Sequence, residues 1–147
     1  MASSTSKEAY FVIEGRVQPK QRPRVFRNRY TGKTQTITPE KTVEYENKVR
    51  SAYIAEHGDR KFTGALQMTL NVYVQIPKGT SKKKREQMLL GEIQPITRTG
   101  DIDNLFKAVA DALNGVAYDD DSQIVEATVR KLYLDEAKAE VTIREKE

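Results

Sequence analysis

Cysteine and tryptophan are absent from this chain, and histidine occurs once, as His57. Without cysteine there is no disulfide framework, no thiolate metal site and no cysteine nucleophile. A single histidine excludes His-rich zinc sites and argues against histidine-based catalysis. Long hydrophobic runs are missing as well: none approaches the roughly 18 residues of a membrane span, so no membrane partner is expected. The start, MASSTSKEAYF, lacks the apolar stretch of a signal peptide. No G-x-x-x-x-G-K-[ST] loop is present, which argues against a nucleotide cofactor. What remains is a soluble, cytoplasmic protein whose 147 residues, 37% of them hydrophobic, suit one core and leave no room for two.

What the chain does have is segregated charge. Its formal net charge of +4 is modest. From Arg16 to Lys33 there are seven bases (Arg16, Lys20, Arg22, Arg24, Arg27, Arg29 and Lys33) and no acid. From Lys78 to Arg85 five more follow (Lys78, Lys82, Lys83, Lys84 and Arg85), again with no acid. Between Asp101 and Asp121 the sign inverts, with six aspartates against the single Lys107. A charge run alone is usually a solvated face. Two basic blocks around an acidic one instead suggest a polyanion and a bound cation, the combination a nuclease requires.

Periodicity predicts an α+β fold. Residues 1–8 read as a disordered polar tail and 9–147 as the folded domain. Tyr10–Val17 reads as a strand, and VFRNRYTGKTQTIT as a ribbon turning at Thr31-Gly32. A helix is expected from Thr38 as N-cap and Pro39 as first helical residue to Glu56 or His57, ended by Gly58. Its inward side is read as Val43, Val49, Ala52 and Tyr53. Ala65–Ile76 alternates, with Leu66, Met68, Leu70, Val72 and Val74 on one face, and is the clearest strand. Thr80–Leu90 is expected to be a short helix capped by Ser81 or Thr80. Asp101–Asn114 should be a helix with an apolar stripe of Leu105, Val109, Ala112 and Val116, widened by Phe106, Ala110 and Leu113, and with Gly115 at C′. Gln123–Leu134 and Lys138–Arg144 are read as a closing hairpin. The expected architecture is a single domain in which two main helices pack on a mixed sheet of about four strands.

The aspartates carry the chemistry. Asp101 and Asp103, two residues apart before a helix, are placed to converge if that segment is extended. Lys107 lies one turn beyond Asp103, and the Asp119–Asp121 loop returns toward the same end. Ordinary structural roles compete: an N-cap at Asp101 or Asp103, an i,i+4 ladder through Asp103, Lys107 and Asp111, or a solvated turn. Three carboxylates about 6 Å apart repel by roughly 3 kcal/mol per pair at an effective dielectric near 20, so a true cluster needs a cation or a proton. Oxygen-only ligands favour Mg²⁺, Mn²⁺ or Ca²⁺, and the spacing is not that of an EF-hand. Tyr30, Tyr53, Tyr73 and Phe26 offer rings for stacking on an opened base, although packing is the commoner role.

At these residues the chain resembles a known family. Asp101-Ile-Asp103-Asn104-Leu-Phe-Lys107, continuing through Asp111-Ala-Leu-Asn114-Gly115 to Asp120-Asp121-Ser122-Gln123, is similar to the RusA family of Holliday junction resolvases. Pro19-Lys20-Gln21-Arg22-Pro23-Arg24 is similar to the basic motif of many phage and prophage members. The likeness runs from about residue 10 to 145, so 9–147 is expected to be RusA-like throughout. It implies a Mg²⁺-dependent homodimeric endonuclease, with Mn²⁺ as a substitute, that resolves four-way DNA junctions in recombination and repair by paired symmetric nicks. It implies catalytic roles for Asp101, Asp103, Lys107 and Asp121, and metal binding by Asp101, Asp103, Asp121 and the neighbouring Asp120. Asp119 departs from the family pattern and blurs which of the three holds metal. DNA contacts are expected from Lys20, Arg22, Arg24, Arg27, Lys82, Lys83, Lys84 and Arg85. The competing reading is a non-catalytic module of the same fold that binds junctions.

Overall fold

The computed structural model describes residues 7–20, 24–37 and 39–146. Its centre is the segment whose alternation was clearest. β4 (Leu66–Gln75) buries every second residue, Leu66, Met68, Leu70, Val72 and Val74. β5 (Ile124–Leu134) pairs with β4 in parallel, and β6 (Lys138–Glu145) pairs with it antiparallel on the other side. β1 (Glu8–Glu14) adds to β6, giving the order β1-β6-β4-β5. β2 (Arg24–Arg27) and β3 (Thr34–Ile37) form a separate antiparallel ribbon. The mixed sheet and α+β class expected from periodicity are present.

The closing hairpin is not. β5 and β6 follow each other in sequence but lie on opposite sides of β4. Four Cα steps, from Leu134 to Lys138, reach about 13 Å, enough to cross the roughly 9.6 Å of two strand spacings. The short connection therefore steps over the end of β4, and alternation alone could not distinguish this from a two-residue turn. Parallel pairing of β4 with β5 in turn demands a long crossover. Residues 76–123 supply it and carry two helices, α2 (Lys82–Leu89) and α3 (Ile102–Ala112).

α1 (Glu40–His57) and α3 cover one face of the sheet. Their buried residues, Tyr45, Val49 and Tyr53 from α1 and Leu105, Ala108, Val109 and Ala112 from α3, meet Phe11, Ile13, Met68, Leu70, Val141 and Ile143. Pro39, not Thr38, is the N-cap of α1, and Thr38 lies outside the described residues. The inner stripe also shifts. Val43 is exposed, while Thr42 and Tyr45 are buried. With Val49 and Tyr53 fixed on the core, positions 45 and 42 share their face, whereas 43 is turned about 120° away at 100° per residue. Gly58 ends the helix with φ 62°, its N–H donating to Ile54 O at 2.8 Å. α3 stops at Ala112, so Gly115 sits two residues past its cap, Leu113, rather than at C′. Ser81 caps α2, its hydroxyl accepting from the Lys84 N–H. Among the described residues no helix is long and apolar enough to cross a membrane.

This core predicts a contrast. Leu70→Ala, at a fully buried position of β4, should cost about 3–5 kcal/mol. Val43→Ala should stay within about 0.5 kcal/mol. Urea unfolding of the two variants checks it.

Candidate active site

α3 begins where Asp101, in extended conformation (φ −82°, ψ 149°), acts as N-cap through its backbone. Its side chain makes no cap hydrogen bond, so the carboxylate is not spent on the helix N–H groups. Asp103 lies inside the first helical turn, not in an extended segment as expected, and there the helix dipole favours its charge. Both residues are exposed, and neither carboxylate has a partner among the described residues.

The backbone leading to this pair is held in an uncommon shape. Thr99 and Gly100 have φ of 72° and 108°, and left-handed backbone at a non-glycine residue is costly unless its surroundings fix it. Lys131, from β5, does so: its ammonium donates to Ile96 O at 2.9 Å, Gly100 O at 3.0 Å and Arg98 O at 3.5 Å. From the other side Pro19 packs so closely that a Cβ on Gly100 would fall 2.8 Å from its Cγ. The Lys20 N–H donates to Asn104 O at 3.0 Å. The start of the basic segment is thereby pinned across the first turn of α3.

Two turns along α3 stands a second group. Lys20 Nζ lies 2.7 Å from Glu46 and 3.5 Å from Asp111, and Lys107 Nζ lies 3.4 Å from Asp111. Burial pulls the Lys20 pKa down, but the hydrogen bond to Glu46 and the charges of Glu46 and Asp111 leave it raised. Asp121 reaches this group from the loop before β5. Burial, with the hydrogen bond to Asp111 and the charge of that carboxylate, holds Asp121 above the usual carboxylate range.

The three consecutive aspartates separate cleanly. Asp119 is paired with Lys61 at 2.8 Å. Asp120 caps the 3-10 turn Asp121–Gln123, accepting from the Ser122 N–H at 3.0 Å, and the Ser122 bonds hold its pKa low. Asp121 alone turns to α3. Gln123 secures the loop: its Oε1 accepts from the N–H groups of Asp119 and Asp120, and its Nε2 donates to Gly64 O.

The structure thus joins Lys107, Asp111 and Asp121 with Lys20 and Glu46. It leaves Asp101 and Asp103 at the start of the helix, Asp103 about 12 Å from Asp111 along the axis at 1.5 Å per residue. Among the described residues no three Asp, Glu or His side chains come close enough to hold one ion. The donor chemistry nevertheless suits Mg²⁺, which is commonly held by one or two carboxylates and completes its shell with water and phosphate oxygens. His57 is structural, its Nε2 2.9 Å from Tyr10 O and its ring against Tyr53.

Of the expected DNA contacts, Lys20 is committed to Glu46 and Asp111. Arg22 lies outside the described residues, as does the side chain of Arg24. Arg27 is exposed and donates to Gly32 O at 3.3 Å. Lys82, Lys83 and Lys84 are exposed on α2, while Arg85 pairs with Asp135. Tyr30 is 94% exposed in the ribbon turn, but Tyr53 is a core residue.

The sequence model of endodeoxyribonuclease RusA matches residues 14–144, which takes in β2 to β5, nearly all of β6, the helices and both groups of acids. The chain belongs to the RusA endodeoxyribonuclease family. It is also 37% identical over 138 residues to the uncharacterized protein YqaN of Bacillus subtilis strain 168, covering 92% of this chain and 94% of that protein. As a member of the RusA family it is a nuclease of the kind that resolves Holliday junctions. Asp111, Glu46, Gln123 and Lys131 were not singled out as site residues from sequence. Asp111 had a signal, since it follows Lys107 by one helical turn. Glu46, Gln123 and Lys131 reach their partners only through tertiary contact.

The contact between Asp111 and Asp121 has a pH signature. A carboxyl raised in the folded state adds stability at low pH that is lost as pH climbs through its folded pKa. At pH 7, Asp121→Asn removes that repulsion and still donates to Asp111, so its Tm in metal-free buffer should exceed that of the parent. Below about pH 3, where the Asp121 carboxyl is protonated in both the folded and the unfolded state, the gain should vanish. Calorimetric scans at the two pH values test it.

Proposed function

We propose that this RusA-family nuclease is a metal-dependent homodimer that resolves four-way DNA junctions by paired, symmetric phosphodiester hydrolysis. The observation that carries the reading is the pair of carboxylates, Asp101 and Asp103, unpartnered among the described residues, on a clamped backbone beside Lys107 and a basic segment. Asp101 and Asp103 would hold the divalent cation, Mg²⁺ or Mn²⁺, and Asp121 and its neighbour Asp120, which stand toward the Asp111 end of α3, would join them only if their loop moves toward the start of the helix. A cation bound there supplies positive charge to the scissile phosphate and lowers the pKa of water.

The remaining work falls to the chain. Lys107, shared with Asp111 and half exposed, sets a fixed positive charge one turn from Asp103, where phosphorane charge develops. With His57 engaged at β1, an aspartate is left to take the proton from the attacking water. Lys82, Lys83 and Lys84, with Arg22, Arg24 and Arg27, would grip backbone phosphates, which positions DNA without reading bases. Two-fold symmetry of a dimer matches the two equivalent strands of a junction and places one site on each.

A binding module of the same fold is the alternative, and one experiment separates them. A labelled synthetic four-way junction and a linear duplex of the same sequence are incubated with Mg²⁺ and the parent or Asp103→Asn protein. The expected result is paired nicks in the junction alone, slowed by about two orders of magnitude or more in the variant, with gel-shift binding retained. Binding without cleavage by the parent, in Mg²⁺ and in Mn²⁺, would establish the module instead.

A further inference from the structure

α1 carries a basic feature that the acidic site does not use. Lys41, Glu44, Tyr45 and Lys48 follow the i, i+3, i+4, i+7 spacing of one helix face. With Gln18 they line a surface hollow of about 340 Å³. Neither lysine is ion-paired among the described residues. Lys48 lies over the backbone of Gly15, where a Cβ would come within 2.7 Å of its ammonium. Glu44 is the single acid of the lining, so the hollow is net positive.

Tyr45 sets this hollow apart from an ordinary lysine pair. The residue is 5% exposed, and its hydroxyl is shut from solvent with no hydrogen-bond partner among the described residues. An orphaned buried hydroxyl forfeits its water without replacement, which native structures rarely tolerate unless the group serves something else. The other two fully buried tyrosines are satisfied: Tyr53 donates to Arg60 O and Tyr118 to Ala110 O, each at 2.6 Å. Burial pushes the Tyr45 pKa well above the usual phenol value, so the group keeps its proton and stays a donor.

We propose that the hollow between Gln18 and α1 binds a phosphate of the DNA backbone, with the Tyr45 hydroxyl and the Lys41 and Lys48 ammonium groups as donors. The lysine stems are long and their heads unpaired among the described residues, so they are free to move aside, which admission of the anion to the hydroxyl requires. Gln18 precedes Lys20 by two residues, so the same stretch of chain borders both this hollow and the acidic site. None of Asp101, Asp103, Asp120 and Asp121 lines the hollow, so the phosphate held here is not the one that is cut. The inference rests on the reading that the chain acts on junction DNA.

The test is equilibrium binding of a labelled four-way junction in EDTA, measured by anisotropy over a range of NaCl. Tyr45→Phe removes one oxygen and fills the same space, so its Tm should equal or exceed that of the parent. Its junction affinity should fall about tenfold, the scale of one hydrogen bond to a charged group. Lys41→Gln and Lys48→Gln should each flatten the slope of log K against log salt by about 0.9. Parent-like affinity in Tyr45→Phe, or unchanged slopes in both lysine variants, overturns the site. A Tm rise in millimolar inorganic phosphate that Tyr45→Phe abolishes, with DNA affinity unchanged, would overturn the DNA assignment in favour of a free anion. Because binding is read on uncut DNA, failure of the phosphate site is distinct from failure of cleavage. A parent protein that binds no DNA overturns both.

Discussion

The parallel pairing of β4 with β5 is the constraint on which the site depends. Two parallel neighbours cannot be joined by a turn, so the chain must leave the sheet and return to the same end. The excursion, residues 76–123, holds the basic helix α2, the acid-bearing helix α3 and the Asp119–Asp121 loop. Every acid of the candidate site except Glu46 is therefore placed by one topological requirement. The apolar stripe of α3 is buried against the core, which turns Asp103, Lys107 and Asp111 outward along one side. Lys131 projects from β5 into the same excursion and holds the loop before Asp101, so the returning strand fixes the segment that made its return possible.

Electrostatics explains why the two ends of α3 differ. At the far end, Asp111 and Asp121 touch, and the resulting strain is offset by Lys20 and Lys107. Charges that close interact by several kcal/mol at effective dielectrics near 20, so the lysines are structural necessities of the group. At the near end, Asp101 and Asp103 have no such partners among the described residues, and there solvent and the helix N-terminus face their charge. A cation arriving at the near end therefore displaces water, whereas one at the far end would compete with ammonium groups. The uncompensated end is where a positively charged ligand gains most.

The sequence was most legible where one physical signal acted alone. The strict alternation of 66–76 located β4, and the heptad-like stripe of 105–113 located α3, because burial on one face fixes both patterns. The spacing of Asp101, Asp103 and Lys107 placed all three about the first turns of α3, but it offers the pairing of Lys107 with Asp111 only as an ordinary i,i+4 ladder. Legibility failed where two readings shared one pattern. Val43 and Tyr45 are both plausible inner residues until Val49 and Tyr53 fix the helix phase. β5 and β6 alternate whether they pair with each other or with β4. The three aspartates at 119–121 look equivalent in sequence, and only Lys61, Ser122 and Asp111, remote or conformational partners, tell them apart.

The short run from Gln18 to Lys20 ties these parts together. Pro19 is fitted against Gly100, and Lys20 is bonded through its backbone to α3 and through its side chain to α1. Gln18, immediately before them, borders the hollow on α1. Three residues of chain thus touch the backbone that positions Asp101, the salt-bridged group around Asp111 and the proposed phosphate seat. A phosphate drawn into that proposed seat would bear on a segment whose next contacts are the loop and first turn that present Asp101 and Asp103. On that proposal, the grip on a DNA arm and the placement of Asp101 and Asp103 would be parts of one mechanical unit. A substrate that fills both contacts would therefore order the site more completely than a phosphate bound at the acids alone.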